Sequence, residues 1–396
     1  MKLTIKDIYS LLMKFFIVMI IWYMEAIQTK YIQIPNFLLI CGVLLGAVCF
    51  LDCVTLQGVS SLKLIPKPLW VMFIYVILSF FFGFFVTPGM SYHLSHGILV
   101  IEFSMIMLFA AYYCVTRNDV NFLMRNYIIM ILFMTISFLI KPELHSHDRY
   151  SYSAMTNPNS FALLLNLCMW SILYYISKKK INTLVGVIVC GVLLYANFMT
   201  GSRKGLIGAV ICIILWLFTC YFQENAKNVK KQIFRFFGAV CMLTVAIIIF
   251  LPLYQDSVLS ERILSLFKNG SDSRELLYSV GFEFIKENPV FGLGYWGFAV
   301  KSGYDMYSHS TLIEIPVTSG IPLAILYFSS YFSIFFGLLS FNKKNRGVSK
   351  WCVEAGASIA LFAMLIFYTT CIIHIFTLTS FMCFAIIAII CMERKI

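Results

Sequence analysis

Hydrophobic runs of roughly 18–20 residues recur from one end of the chain to the other, separated by short polar breaks. Such runs satisfy their backbone groups internally as helices and are long enough to cross the hydrocarbon core of a bilayer. Twelve spans are predicted, at approximately 9–28, 34–53, 68–87, 97–116, 122–140, 158–177, 181–199, 204–222, 234–254, 310–340, 351–370 and 372–391. The tenth begins with a short re-entrant or tilted piece. The last two are separated by almost nothing and require a tight hairpin. The first run carries no small-residue cleavage site after it, so it reads as a retained helix. No internal repeat, low-complexity tract or soluble domain stands out. The expected fold is an all-α polytopic membrane protein, residues 1–396 forming one integral membrane domain. A single long polar interruption, 255–308, joins spans nine and ten.

Composition agrees. The chain has 396 residues, 61% hydrophobic and 12% charged, about half the charge of a soluble domain. The net charge is +12, and its distribution sets an orientation. With the N-terminus inside, 20 of the 30 Lys and Arg fall in inner loops. Of the outer ten, five lie in the long loop. Both termini are therefore expected in the cytoplasm. The basic residues are split among many short loops, which speaks against nucleic acid as a partner. The 13 Cys are scattered through apolar runs without a CxxC, as small core hydrophobes are, and no disulfide framework or zinc site is expected.

This orientation puts Arg203, Arg274 and His309 on the outer side, with Arg149, His93 and His96, and Glu25 and Glu102 near span ends. Ionisable groups at membrane depth are costly and usually line a cavity or pathway, so a polar cavity opening outward is expected. Thr200-Gly201-Ser202-Arg203-Lys204-Gly205 ends one span and starts the next. Its glycines let backbone approach a ligand, the following helix N-terminus favours an anion, and Arg203 offers a planar fork for phosphate oxygens. The plainer reading is a tight turn whose basic side chains snorkel to headgroups.

Asp272 and Glu275 have capping-box spacing around Arg274. The helix they open should run to Glu287, stop at Pro289, and bury Leu276, Leu277, Val280 and Phe284. Arg274 in the first turn opposes the helix dipole, a cost that hints at function. Asn288 to Gly297 is a glycine-punctuated aromatic turn, suited to sugar faces or, more simply, to the headgroup belt. Its GxG lacks the third Gly and the strand of a dinucleotide site. His309 opens the next span. A neutral imidazole there can take a proton from a sugar hydroxyl near pH 7. Glu314 does not share its helical face, so no dyad is assigned.

The order S-R-K-G, S-R-E-L-L-Y, N-P-V-F-G-L-G and H-S-T-L-I-E-I-P-V-T-S-G resembles the O-antigen ligase and surface-polysaccharide polymerase superfamily over roughly residues 185–335. Twelve spans with a large outer loop before the tenth agree with that family, which is of the GT-C type. The resemblance implies that Arg203 and Arg274 hold a lipid diphosphate and that His309 is the base. Lys204, Arg149, Tyr278, Tyr295 and Glu314 are expected to bind substrate around them. Ligases of the family typically have His-Asn where this chain has His309-Ser310, which tilts the expectation towards a polymerase. A Trp is common where Tyr278 stands.

The resemblance implies a glycosyltransferase of the bacterial cytoplasmic membrane, acting at its outer face in the assembly of lipopolysaccharide or capsule. Its donor would be a polyprenyl- (undecaprenyl-) diphosphate-linked oligosaccharide and its acceptor a glycan, with the bilayer and a chain-length regulator protein as further partners. The arginines would neutralise the leaving diphosphate, so no metal is expected, and the outer loop has no acidic D-x-D. No cofactor or nucleotide is expected, since the diphosphate linkage supplies the energy. The alternatives are a ligase acting on lipid A-core or protein and, from another class, a transporter or flippase.

Overall fold

The computed structural model describes residues 4–145, 149–223, 274–345, 353–369 and 377–390. In order, the main elements are α1 (Ile5–Trp22, continued by a π-helical turn, Tyr23–Ile27), α2 (Phe37–Asp52), α3 (Lys67–Val86), α4 (Met90–Arg117), α5 (Val120–Ile140), β1 (Glu143–His145), β2 (Arg149–Ser151), α6 (Pro158–Ser177), α7 (Thr183–Met199), α8 (Arg203–Gln223), α9 (Arg274–Glu287), α10 (Gly297–Ser302), α11 (Thr311–Asn345), α12 (Val353–Thr369) and α13 (Leu378–Ile390). Among the described residues, seven helices are long and apolar enough to cross a membrane, and three shorter apolar ones accompany them. The chain is thus a helical membrane protein. Helices stand at each expected span except 234–254, which lies outside the described residues, as does the loop before Arg274. The β1–β2 ribbon was not expected. It is a short antiparallel pair in which His145 faces Arg149.

The chain divides into two units, with boundaries inside α5, α11 and α12. The first comprises 1–126, 273–334 and 368–396. In it α4 is central and packs against α1, α2, α3 and α13. Its buried face includes Val100, Phe103, Met107, Ala110 and Ala111, spaced for a helix. Charged groups here are tied down. Asp52 takes both the Arg117 guanidinium and the Tyr112 hydroxyl, and Glu25 accepts from the Thr379 hydroxyl. Glu102 lines an apolar groove with Leu38, Gly42, Gly46 and Phe109. The second unit comprises 127–272 and 335–367. In it α6 is buried along nearly its whole length against α7 and α8. Trp170 Nε1 donates to the Ala357 carbonyl at 2.6 Å.

One feature of the first unit governs everything around it. Helix α11 is broken at Gly320, which has φ 75° and ψ 170°, and it contains Pro316 and Pro322. Pro322 has no N–H for the Thr318 carbonyl, and the break swings the Ile321 N–H away from the Val317 carbonyl. The aromatic turn supplies the missing partners. Leu293 N donates to Val317 O at 2.7 Å, Gly294 N to Thr318 O at 2.8 Å, and Ile321 N to Pro289 O at 2.7 Å. The N-P-V-F-G-L-G and P-V-T-S-G-I-P stretches are therefore two halves of one joint. Close approach demands glycine on both sides: a Cβ on Gly292 would sit 2.6 Å from the Gly320 and Ser319 amides, and one on Gly320 would strike the Val290 carbonyl.

Beside this joint, α9 buries Leu277, Gly281 and Phe284 against Leu293, Phe298, Ile313 and Val317, with Val280 partly covered. The expected amphipathic face is rotated by one position, because Leu276 is 57% exposed. Gly281 decides the rotation: its missing side chain is what lets Ile313 come in.

Gly320→Ala and Gly292→Ala should each destabilise the folded protein by more than the ~1–2 kcal/mol that a left-handed alanine costs alone. The check is thermal melting of purified protein in detergent, where both should fall well below Gly337→Ala, whose added Cβ meets nothing within 4 Å.

Candidate functional site

In the first unit, the approach to α11 is shaped by the carboxylate of Glu314. Its Oε2 accepts the Ser308 N–H at 2.9 Å, while the Ser310 carbonyl takes the N–H groups of Ile313 and Glu314. This resembles a capping box that reaches further back than usual. The reach is possible because His309 has φ 57°, which folds the chain over the helix start. His is among the residues more often found in this region than others, yet such a conformation is uncommon and tends to mark functional sites. Ser308 and Ser310 are buried, and His309 between them is partly exposed. Glu314 is fully buried, and its Oε1 has no hydrogen-bond partner among the described residues.

Tyr307 packs edge-on to His309, with ring centroids 4.6 Å apart. Burial raises the Tyr307 phenol above its usual range, the Glu314 carboxylate adds to this, and the Arg274 guanidinium opposes it. Arg274, Tyr307, His309 and Glu314 thus form one neighbourhood, although Arg274 opens α9 and the others cluster at the start of α11. Sequence reading named three of the four. It missed Tyr307, whose signal was its place two residues before His309. It also left Glu314 without a link to His309: the link runs through the Ser308 N–H, which helical-face geometry does not reveal.

Tyr295, expected to bind substrate, lies in the packed interior. It is 0% exposed, and its hydroxyl donates to the Val76 carbonyl at 3.3 Å. His93, expected at an outward cavity, is buried beneath it. Its Nδ1 accepts the Tyr295 N–H at 3.0 Å, so Nε2 carries the hydrogen that goes to the Phe80 carbonyl at 3.0 Å. Gly83 and Gly97 make room for this His93–Tyr295 lock. Tyr278 packs at the edge of the α9 cluster.

In the second unit, Ser202 caps α8 by accepting the Gly205 N–H at 3.0 Å. Gly201 turns the chain with φ 61°. Asn166 and Asn197 both donate to the Gly205 carbonyl, and the glycine lets α8 approach Asn197 and Ala162. Arg203 and Lys204 occupy the first turn and are partly exposed. Arg149 is brought to the same turn. Strand alternation points it inward, and it donates to the Thr200 carbonyl at 3.4 Å and to Asn159 Oδ1 at 3.0 Å. Asn159 Oδ1 also accepts the Ser202 hydroxyl. Three cationic residues at one helix N-terminus make a positive, anion-attracting locus. Asn159 was missed, since nothing in the sequence joins it to Arg149. Among the described residues, no group of three or more His, Cys, Asp and Glu is placed to hold a metal ion.

Residues 188–328 match the family described as O-Antigen ligase. The matched segment contains Arg203, Arg274, Tyr307, His309 and Glu314, and it bears out the O-antigen ligase and polymerase resemblance read from the motifs. The family supports glycosyltransferase-type activity of the ligase or polymerase kind. No curated protein matches the chain. Within the O-antigen ligase segment, the N-P-V-F-G-L-G and P-V-T-S-G-I-P stretches form the helix-break joint, whereas S-R-K-G, S-R-E-L and H-S-T-L-I-E carry the candidate chemistry.

Glu314→Ala should release the Ser308–His309–Ser310 turn. Amide hydrogen exchange over residues 306–310 should quicken by about tenfold or more, the worth of one hydrogen bond to a charged group. Glu314→Gln keeps an acceptor for Ser308 and should exchange close to wild type.

Proposed function

We propose that the chain is a metal-independent glycosyltransferase that polymerises lipid-diphosphate-linked oligosaccharide repeat units at the outer face of the cytoplasmic membrane. The observation that carries this reading is the gathering of Arg274, Tyr307, His309 and Glu314 within the segment that matches the O-antigen ligase family. A hydroxyl of the acceptor sugar attacks the anomeric carbon of the donor. The bond from that carbon to the diphosphate oxygen breaks, and the polyprenyl diphosphate leaves with the bonding pair. Arg274 and Arg203 neutralise the charge that develops there, the kind of electrostatic stabilisation that dominates many transfers. His309 takes the hydroxyl proton. Glu314, through Ser308, holds His309 in position, and Arg149 and Asn159 brace the turn that presents Arg203 and Lys204. His309-Ser310 in place of His-Asn favours a polymerase over a ligase. Both termini lie in the cytoplasm in this reading, and a chain-length regulator would act as a separate partner.

Arg203→Lys and Arg274→Lys should each lose most transfer activity, because an ammonium cannot replace a bidentate guanidinium on phosphate oxygens. His309→Asn is the sharper test. Asn adopts left-handed backbone readily, so the turn should fold as it does now. Asn cannot take a proton near pH 7, and losing a general base typically costs about 10²–10⁴-fold in rate. In vitro transfer with purified protein and a lipid-diphosphate donor should therefore fall about a hundredfold or more, while donor binding persists. Retention of more than about a tenth of the rate would remove His309 from the base role.

Orientation has its own check. Cysteine labelling from outside, on a Cys-depleted background, should modify a probe at Lys286 and spare one at Lys179. The reverse result would also move the active site to the other face.

A further inference from the structure

A chain of aromatic rings leads away from His309. Tyr307 lies between His309, at 4.6 Å, and Trp296, at 5.8 Å, both edge-on. Trp296 in turn lies flat on His96, with centroids 4.2 Å apart and planes 12° from parallel. Trp296, Tyr307 and His96 are partly exposed, while Tyr295, beside Trp296 in sequence, is wholly buried.

The backbone beneath Trp296 is both strained and rigid. Trp296 has φ 62°, as unusual for so bulky a side chain as the φ 57° of His309. Gly294 and Gly297 flank it, so glycine is at hand in this turn, yet the left-handed position between them holds an indole. The Tyr295 N–H is fixed to His93 and the Gly294 N–H to Thr318, so the indole is held on a foundation tied to α4 and α11. A residue that merely anchored the protein at the headgroup level would need neither this backbone conformation nor a stacked histidine.

We propose that Trp296, stacked on His96 and walled by Tyr307, is the subsite for a pyranose ring of the acceptor glycan. The axial C–H face of a pyranose carries partial positive charge and lies well on the negative face of an aromatic ring. The phenol of Tyr307 offers a hydrogen-bonding group for the ring hydroxyls, while the His96 imidazole, held by the Tyr92 carbonyl at 2.9 Å, backs the indole. The subsite places its sugar next to His309, where an attacking hydroxyl is needed. It rests on the glycosyl-transfer reading for its role, though not for its existence.

The test uses full-length protein in detergent and the lipid-free oligosaccharide released by mild acid from the lipid-linked pool of expressing cells. Tryptophan fluorescence should shift saturably on titration. Trp296→Leu should weaken the affinity about tenfold, the scale of one aromatic stacking contact, and Trp296→Phe should weaken it less. Trp296→Gly suits the backbone, so it should fold at least as well as wild type while losing the same affinity. In transfer assays the acceptor KM should rise, with donor affinity unchanged. Unaltered oligosaccharide affinity in both Trp296→Leu and Trp296→Gly overturns the subsite, even if transfer itself is established. Saccharide binding that depends on Trp296 in a protein without transferase activity would instead uphold the subsite and overturn the polymerase reading.

Discussion

The hydrogen bonds from the Leu293 and Gly294 amides to the Val317 and Thr318 carbonyls are what the rest of the first unit depends on. A helix broken by Gly320 and deprived of an N–H at Pro322 leaves carbonyls that an apolar surrounding cannot solvate. The aromatic turn satisfies them from outside the helix. In doing so it fixes the register of 288–297 against α11, and hence where Trp296, α9 and the Tyr307–Ser310 approach lie. Glycine is required at 292 and 320 for steric reasons, so the motif is a statement about backbone proximity before it is one about chemistry.

The second unit solves a similar problem by other means. Its turn before α8 is held by side chains: Ser202 caps, Asn166 and Asn197 bracket the Gly205 carbonyl, and Arg149 braces Thr200 from the β ribbon. Arg149 is thereby committed to structure and Arg203 is left partly exposed. Two arginines that look alike in a charge count thus differ in burial.

Much of this was legible in the sequence where the signal is local. Most span positions, the end of α9 at Glu287 and the turn into a helix at S-R-K-G follow from hydropathy, Pro289 and a helix N-terminus. What was not legible depends on pairings distant in sequence. Leu276 was placed on the buried face because periodicity allows it, but Gly281 against Ile313 turned the helix. His93 read as a cavity residue because a titratable group at membrane depth usually is one. Only the Tyr295 amide, about two hundred positions away, shows it to be a structural acceptor. Tyr295 and Trp296 were equivalent aromatics in the sequence, and a single residue's turn sends one inward and leaves the other partly exposed.

Backbone strain then separates structure from function at the heart of the site. The left-handed glycines 292, 294 and 320 adopt their conformations without cost, and their positions are explained by packing alone. The left-handed Trp296 and His309 are different, because a glycine at either place would relieve the backbone. At His309 part of the cost is offset by Glu314, whose carboxylate accepts the Ser308 N–H only when the chain folds back there. Among the described residues, Glu314 in turn keeps one buried oxygen unpartnered, a further cost. Strain at Trp296, strain at His309 and an orphaned carboxylate oxygen fall within one neighbourhood of the first unit. Left-handed backbone at a bulky indole, left-handed backbone at an imidazole and an unsatisfied carboxylate oxygen mark this as the part of the first unit where packing alone accounts least for the residues present.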